Sequence, residues 1–314
     1  MRLVRYISVL TAVLLCCAGC IRENIDDCET PVEVEFLYWG DGIVDVFPER
    51  VDSVLMFIYE ASSGELYRTV PLTASELDAR QGASLRLFPG DYRLVCWGNA
   101  GEGSHIDLDA QRIMSADHHE GRNPSGIEEL YFGSTELSVP LTLRPVRDTV
   151  EFEAPYIMIT VELLGFGRLN SGGASAGQTL SGDGDEEPKV IFAHEGLSGH
   201  IDFNGDPVLD EELADYVPEL EDHPEEADSY TTTYMVPEFD NSTTSELSVY
   251  DRTRGTSLYN RPLADILDEL GITLDPDRNE LALHLRIQAS FDSNGVLVGV
   301  DVVGWNTEIV YPEF

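Results

Sequence analysis

Apolar and polar residues alternate one for one through much of this chain. In Val32-Glu33-Val34-Glu35-Phe36 every second side chain is apolar, the pattern of a strand with one face buried and the other in water. Ile157, Ile159, Val161 and Leu163 share a face in the same way. Near the end Leu281, Leu283, Leu285, Ile287, Ala289 and Phe291 alternate, Asp292-Ser293-Asn294-Gly295 turns, and Val296, Val298, Val300 and Val302 return; that is a hairpin. Val51 to Tyr59 is more uniformly apolar and predicts a central strand. Leu85 to Trp97 sets a Pro89-Gly90 turn between two strand-like pieces, and Leu141–Leu143 predicts a further short strand.

Helical signals are few. Asn260 to Gly271 has Asn260 as N-cap, Pro262 in its first turn, a stripe of Leu263, Ile266, Leu267 and Leu270, and a glycine stop. Thr73 and Glu76 have the spacing of a capping box for one turn over Thr73–Asp78. Many short strands, frequent turns and one or two short helices predict an all-β fold of sandwiches.

A length of 314 residues allows two modest domains. The alternation breaks near Pro145–Pro155, which divides the chain into residues 31–148 and 149–314. In the second part, Leu169 to Asp185 is rich in glycine and serine and reads as a flexible loop. Residues 183–240 hold 19 acids and one base, with Pro207, Pro218, Pro224 and Pro237 against long helices. This predicts an exposed acidic insertion near 170–240.

Charge excludes two classes of partner. The chain has 58 acids against 19 bases, a net charge of −39. It therefore has no basic face for nucleic acid, whose phosphates it repels. Anionic lipid headgroups repel it too, so a membrane link has to be non-electrostatic. With 42% hydrophobic residues it is nevertheless no disordered acidic tail.

The first nineteen residues supply such a link. Arg2 and Arg5 form a positive start, Ile7 to Leu15 a short apolar core, and Ala18-Gly19 a small pair before Cys20. This is a secretory signal, too short to span a bilayer, and it resembles a bacterial lipoprotein signal in which Cys20 is lipidated and becomes the first mature residue. Cys17 departs from that pattern, standing where leucine or valine is usual. Residues 1–19 are then the signal and 20–30 a lipidated tether. Acyl chains at about 0.8 kcal/mol per buried methylene hold a protein on a membrane despite its charge. The remaining cysteines, Cys28 and Cys96, are an even pair in an oxidising compartment, open to a disulfide or to two free thiols.

Catalytic and metal motifs mostly fail on spacing. His194 and His200 lie six apart with two glycines between, whereas two zinc ligands on one helical face stand at i and i+4. Ser198 lacks the symmetric glycines of a nucleophile elbow. Asp117-His118-His119-Glu120 reads as an exposed polar loop. Asp202, Asn204 and Asp206 match the first three ligand positions of a calcium loop, but Pro207 and Leu213 occupy the places of its glycine and glutamate. Asp275-x-Asp277-x-Asn279 fails likewise. A non-EF calcium site within 202–212 or a turn of solvated Asp and Asn both fit. Tyr38, Trp39, Tyr230 and Tyr234 are eligible for a sugar-stacking platform, whereas Trp97 and Trp305 sit in strand context. No cofactor and no enzymatic reaction is predicted.

Three signals together resemble one family. They are Cys20-Ile-Arg-Glu-Asn-Ile-Asp-Asp-Cys28, the strand from Pro89-Gly90-Asp91-Tyr92 to Trp97-Gly98-Asn99, and the closing Gly304-Trp305. The chain resembles the Mfa2/FimB family of fimbrial anchor lipoproteins of the Bacteroidales. The resemblance implies two tandem transthyretin-like, Greek-key β-sandwich domains. It also implies an outer-membrane lipoprotein, lipid-anchored at the cell surface, that binds fimbrillin-type pilin subunits, holds the base of a fimbrium and limits its length. Stalk subunits related to that family polymerise by strand exchange after losing an N-terminal segment; an anchor keeps its lipidated N-terminus. The acidic run Glu23 to Glu29 resembles the surface-export signals of the same bacteria. The reading from another class is a surface glycan-binding lipoprotein of a polysaccharide-uptake system.

Overall fold

The computed structural model describes residues 28–307, apart from 143, 171–186, 210–212, 276–277 and 295. The signal, Cys20 and most of the Gly/Ser-rich stretch therefore lie outside the described residues, as does Leu143.

The first half contains β1 (Thr30–Tyr38), α1 (Phe47–Arg50), β2 (Val54–Glu60), β3 (Leu66–Leu72), α2 (Ala74–Ala79), β4 (Gly82–Leu87) and β5 (Gly90–Gly98). Then follow β6 (Ser104–Asp107), β7 (Arg112–Ser115), α3 (Ala116–His119), β8 (Tyr131–Val139) and β9 (Val146–Glu153). Seven strands form one hydrogen-bonded sheet in the order β3-β2-β5-β8-β9-β1-β4. β8 and β9 share only Phe132↔Glu153 and Gly133↔Phe152, so the sheet folds over at that corner and packs β9-β1-β4 on β3-β2-β5-β8. Gly133 makes the corner feasible: a Cβ there would lie 2.6 Å from Val150 Cγ1 and 2.9 Å from the Glu151 carbonyl oxygen. The alternation sorts the faces as expected, with Val32, Val34, Phe36 and Tyr38 buried between the layers and Glu33 and Glu35 turned away. The Pro89-Gly90 turn joins strands that do not pair. β4 lies against β1, while β5 lies between β2 and β8, so the chain crosses layers there. In α2 the Glu76 carboxylate accepts from the Thr73 N–H at 2.9 Å, completing the expected capping box.

The second half comprises β10 (Tyr156–Leu164), β11 (Val190–Ser198), β12 (His200–Asp202), β13 (Leu213–Tyr216), β14 (Glu221–Asp222) and β15 (Tyr230–Pro237). It ends with β16 (Glu246–Asp251), β17 (Thr256–Pro262), α4 (Leu263–Leu270), β18 (Leu281–Phe291) and β19 (Leu297–Thr307). Two sheets, β14-β15-β10-β18-β19 and β13-β11-β16-β17, enclose a second core. The terminal hairpin is β18–β19. α4 turns Leu263, Ile266 and Leu267 into that core and stops at Gly271, whose φ of 66° is left-handed. The helix starts later than expected. β17 runs on to Pro262, which takes the N-cap position, and the Asn260 amide instead bonds Ser248 and Glu246.

Three expectations are corrected. β9 straddles the 148/149 division: it pairs in parallel with β1 from Val146 to Phe152, so the change of sandwich comes at Ala154–Pro155. Ala154 and Tyr156 pack in the first core and Ile157 in the second. Residues 183–240 are not an insertion, for their described part supplies β11 and β13–β15 to the second sandwich and buries Phe192, Tyr216, Tyr230 and Tyr234. Net charge misled because acids at outward positions and loop tips say nothing about the inward face. Leu141 is 46% exposed in the link between β8 and β9, with no strand at that residue.

Candidate functional site

The tether enters the fold at a strand held on both edges. Glu29 lies 3.9 Å from Arg68, and the buried Thr30 hydroxyl lies 3.0 Å from the carbonyl oxygens of both Pro140 and Thr142. From there β1 is hydrogen-bonded to β9 on one side and β4 on the other. Arg147 and Arg80 reach the outward Glu33 at 3.0 and 3.4 Å. Cys28 is exposed and Cys96 is wholly buried on β5; both are free thiols, and burial pushes the Cys96 thiol far above its ordinary range. The bridge between them is therefore not formed.

β12 leaves the second half of the chain to join the first. It pairs with β7, extending the β6–β7 hairpin into the sheet β12-β7-β6. This small sheet covers the outer face of the first sandwich, where Phe203 stacks on Phe57 at 5.4 Å and meets Trp97 at 6.1 Å. The Arg93 guanidinium donates to the Phe203 carbonyl at 2.6 Å and to Asn204 Oδ1 at 2.8 Å. A second seam ties β1 to the start of β18: Tyr38 donates to Glu280 at 3.0 Å, and Arg278 lies 3.3 Å from Asp41. The sequence reading missed this clasp. Its one signal was a lone phenylalanine inside a polar turn.

The calcium candidate is that same turn. The Asp202 carboxylate accepts from the backbone N–H groups of Asn204 and Asp206 at 2.7 and 3.1 Å and from the Asn204 amide at 2.9 Å. Its oxygens thus hold the loop, as a turn of Asp and Asn does. The histidines of the rejected zinc motif separate. His194 is buried in the second core, 3.1 Å from the Tyr234 hydroxyl and 3.0 Å from Ser245 Oγ, and burial lowers its pKa to about 3. His200 sits on β12 edge-on to His118 at 5.0 Å, while His119 stacks on His105 at 3.4 Å. Among the described residues no three His, Cys, Asp or Glu side chains converge as metal ligands.

The aromatic platform does not assemble. Tyr38, Tyr230 and Tyr234 are buried, which leaves only Trp39 half-exposed. Trp97 is core, as expected; Trp305 stands opposite Leu285 on β19, and its side chain lies outside the described residues. What is exposed is a strand edge. Among the described residues β19 ends its sheet; Val298 and Val303 on it are 64% and 50% exposed, and Val296 in the turn before it is 58% exposed. Unpaired N–H and C=O groups beside apolar side chains are a template for a further strand. No described helix is long and apolar enough to cross a membrane.

Comparisons with known proteins agree with this architecture. The Mfa2 fimbrial anchor protein of Porphyromonas gingivalis has the same fold at a TM-score of 0.62 and 14% identity, over 88% of this chain and 98% of that one. A candidate adhesin from Bacteroides ovatus aligns at 0.63 and 15% identity, over 90% and 95%. A candidate polysaccharide-binding protein from Bacteroides thetaiotaomicron aligns at 0.61 and 14% identity, over 89% and 97%. No curated protein matches. The family model for fimbrillin-A associated anchor proteins Mfa1 and Mfa2 matches residues 25–311. With the whole described chain inside that match, the protein belongs to the family of fimbrillin-A associated anchor proteins.

Proposed function

We propose that the chain is a non-enzymatic lipoprotein of the outer membrane, lipidated at Cys20, which holds the base of a fimbrium and limits its length. The observation that carries this reading is the setting of β1. A load applied at a lipid on Cys20 reaches the fold within ten residues and enters a strand bonded along both edges. Such a strand resists extraction by shear, because many main-chain hydrogen bonds share the load. A subunit that keeps this strand retains its tether while accepting a partner elsewhere. The open edge of β19 supports strand-mediated contact with fimbrillin subunits. The glycan-binding reading lacks the exposed aromatic faces it needs, since three of its four residues are buried.

Acyl labelling and protease shaving of whole cells test the anchor. The wild type takes up label and is cut at the surface, while Cys20→Ala loses label and is released; persistent label in the variant refutes Cys20 as the lipid site. Deleting the protein should shed fimbriae into the medium or change their length. Cell-bound fimbriae of unchanged length would sink the proposal.

A further inference from the structure

At one end of the second sandwich, beside the seam with the first, the two sheets splay apart. Ile157, the second residue of β10, and Leu281, the first of β18, lie on one side, and Leu197 lies where β11 shifts register against β13 on the other. The opening is a cavity of about 510 Å3, within the range of pockets that accept a few side chains or a small molecule. Ile157, Leu197 and Leu274 make a buried apolar floor. Leu209 and Leu213 stand at its mouth, 67% and 48% exposed. Apolar side chains left in water beside an apolar floor favour being covered.

The polar wall selects what covers them. Asp206, Glu238, Asp240 and Asp275 face a single base, Arg278, which is already 3.3 Å from Asp41. Asp240 is held by Ser242. Among the described residues no cation pairs with Asp206, with Glu238 or with Glu153, which approaches from the end of β9. Burial, together with Glu153 and Asp206, raises the Glu238 carboxyl to about 7. Asp206, Glu238 and Glu153 are therefore short of positive charge among the described residues.

We infer that this cavity is a docking site for a polypeptide segment of a partner protein, one that presents an apolar side chain with a lysine or arginine within two residues of it. The apolar part fills the floor and covers Leu209 and Leu213; the cation meets Asp206 and Glu238. A fatty acid or phospholipid would bring its own anion to the acidic wall. A second copy of this chain is a poor occupant, since removing Arg2 and Arg5 with the signal leaves 17 bases against 58 acids. The site stands whether or not the chain holds a fimbrium.

Random dodecapeptides displayed on phage, panned against the full mature protein, test this. The expected result is enrichment of sequences pairing an apolar residue with a nearby base. A synthetic peptide of that sequence should bind at least tenfold more weakly to Leu209→Asp and to Glu238→Gln. Its affinity for the wild type should rise several-fold from pH 5.5 to pH 8, as Glu238 ionises, but should stay flat in Glu238→Gln. Replacing the peptide's base by glutamate should abolish binding, a readout that does not depend on how any protein variant folds. The inference is overturned by no enrichment, by enriched peptides without a base, or by affinity that is the same in both variants. Saturable binding to phosphatidylglycerol vesicles that displaces the peptide, or dimerisation that does so, would overturn the choice of occupant.

Discussion

His194 shows how one residue can mislead a motif search and still matter to the fold. It looks like half of a metal site, yet both ring nitrogens are engaged inside the second core, by Tyr234 and Ser245. Burial depresses its pKa from an ordinary 6.5 to about 3. Below 6.5 the unfolded chain takes up a proton that the folded chain refuses, so stability from this group is full above 6.5 and is lost as pH falls towards 3. Between pH 7 and pH 4 the loss should be about 3 kcal/mol. Urea unfolding at the two pH values checks it: His194→Gln should show a shallower decline, and an equal decline would mean other groups carry the acid sensitivity. At Gly133 the issue is space. Gly133→Ala sets a methyl against Val150 and the Glu151 carbonyl at the folded corner, and should cost roughly 1–3 kcal/mol, seen as a lowered unfolding midpoint.

At the scale of elements, β12 and β19 play opposite parts. β12 is three residues long, yet it delivers Phe203 to a stack with Phe57 and Trp97. Phe203→Ala should cost about 3–5 kcal/mol. It should also speed amide exchange in β6, β7 and β12, while exchange in β10 and β18 stays slow; protection unchanged at β7 would show that the hairpin stands without the clasp. β19 is long, ends its sheet among the described residues and carries two exposed valines, Val298 and Val303, with a third, Val296, just before it. Val298→Lys should change stability by no more than about 0.5 kcal/mol, as exposed positions do, and should prevent complex formation with a fimbrillin subunit in a pull-down. The alternation of these strands was legible because period two is imposed by the strand itself. Their partners were not. Nothing local in Leu85–Trp97 says that the strands on either side of its turn pair with different neighbours. The calcium candidate was legible only as a polar turn, since its use as a clasp depends on Arg93, 110 positions in sequence from the Phe203 carbonyl it bonds.

For the whole molecule, two cores share a clasp and a seam, so their stabilities are coupled. Calorimetry of the wild type should show one main unfolding transition, and Phe203→Ala should separate it into two; two transitions already in the wild type would mean that the clasp contributes little. The sequence by itself determined the all-β class, the strand faces, the terminal hairpin, the capping box and the family resemblance, because each rests on neighbours within a few residues. It also determined the net charge of −39, because total charge needs no fold. Only the tertiary structure decided that the acidic stretch contributes strands to a core, that Tyr38, Tyr230 and Tyr234 are buried, and that Cys28 and Cys96 stay apart. It alone closed β12 over the first sandwich and opened the cavity beside Glu238. These depend on which distant segments meet, and burial and pairing are properties of that meeting, not of local pattern.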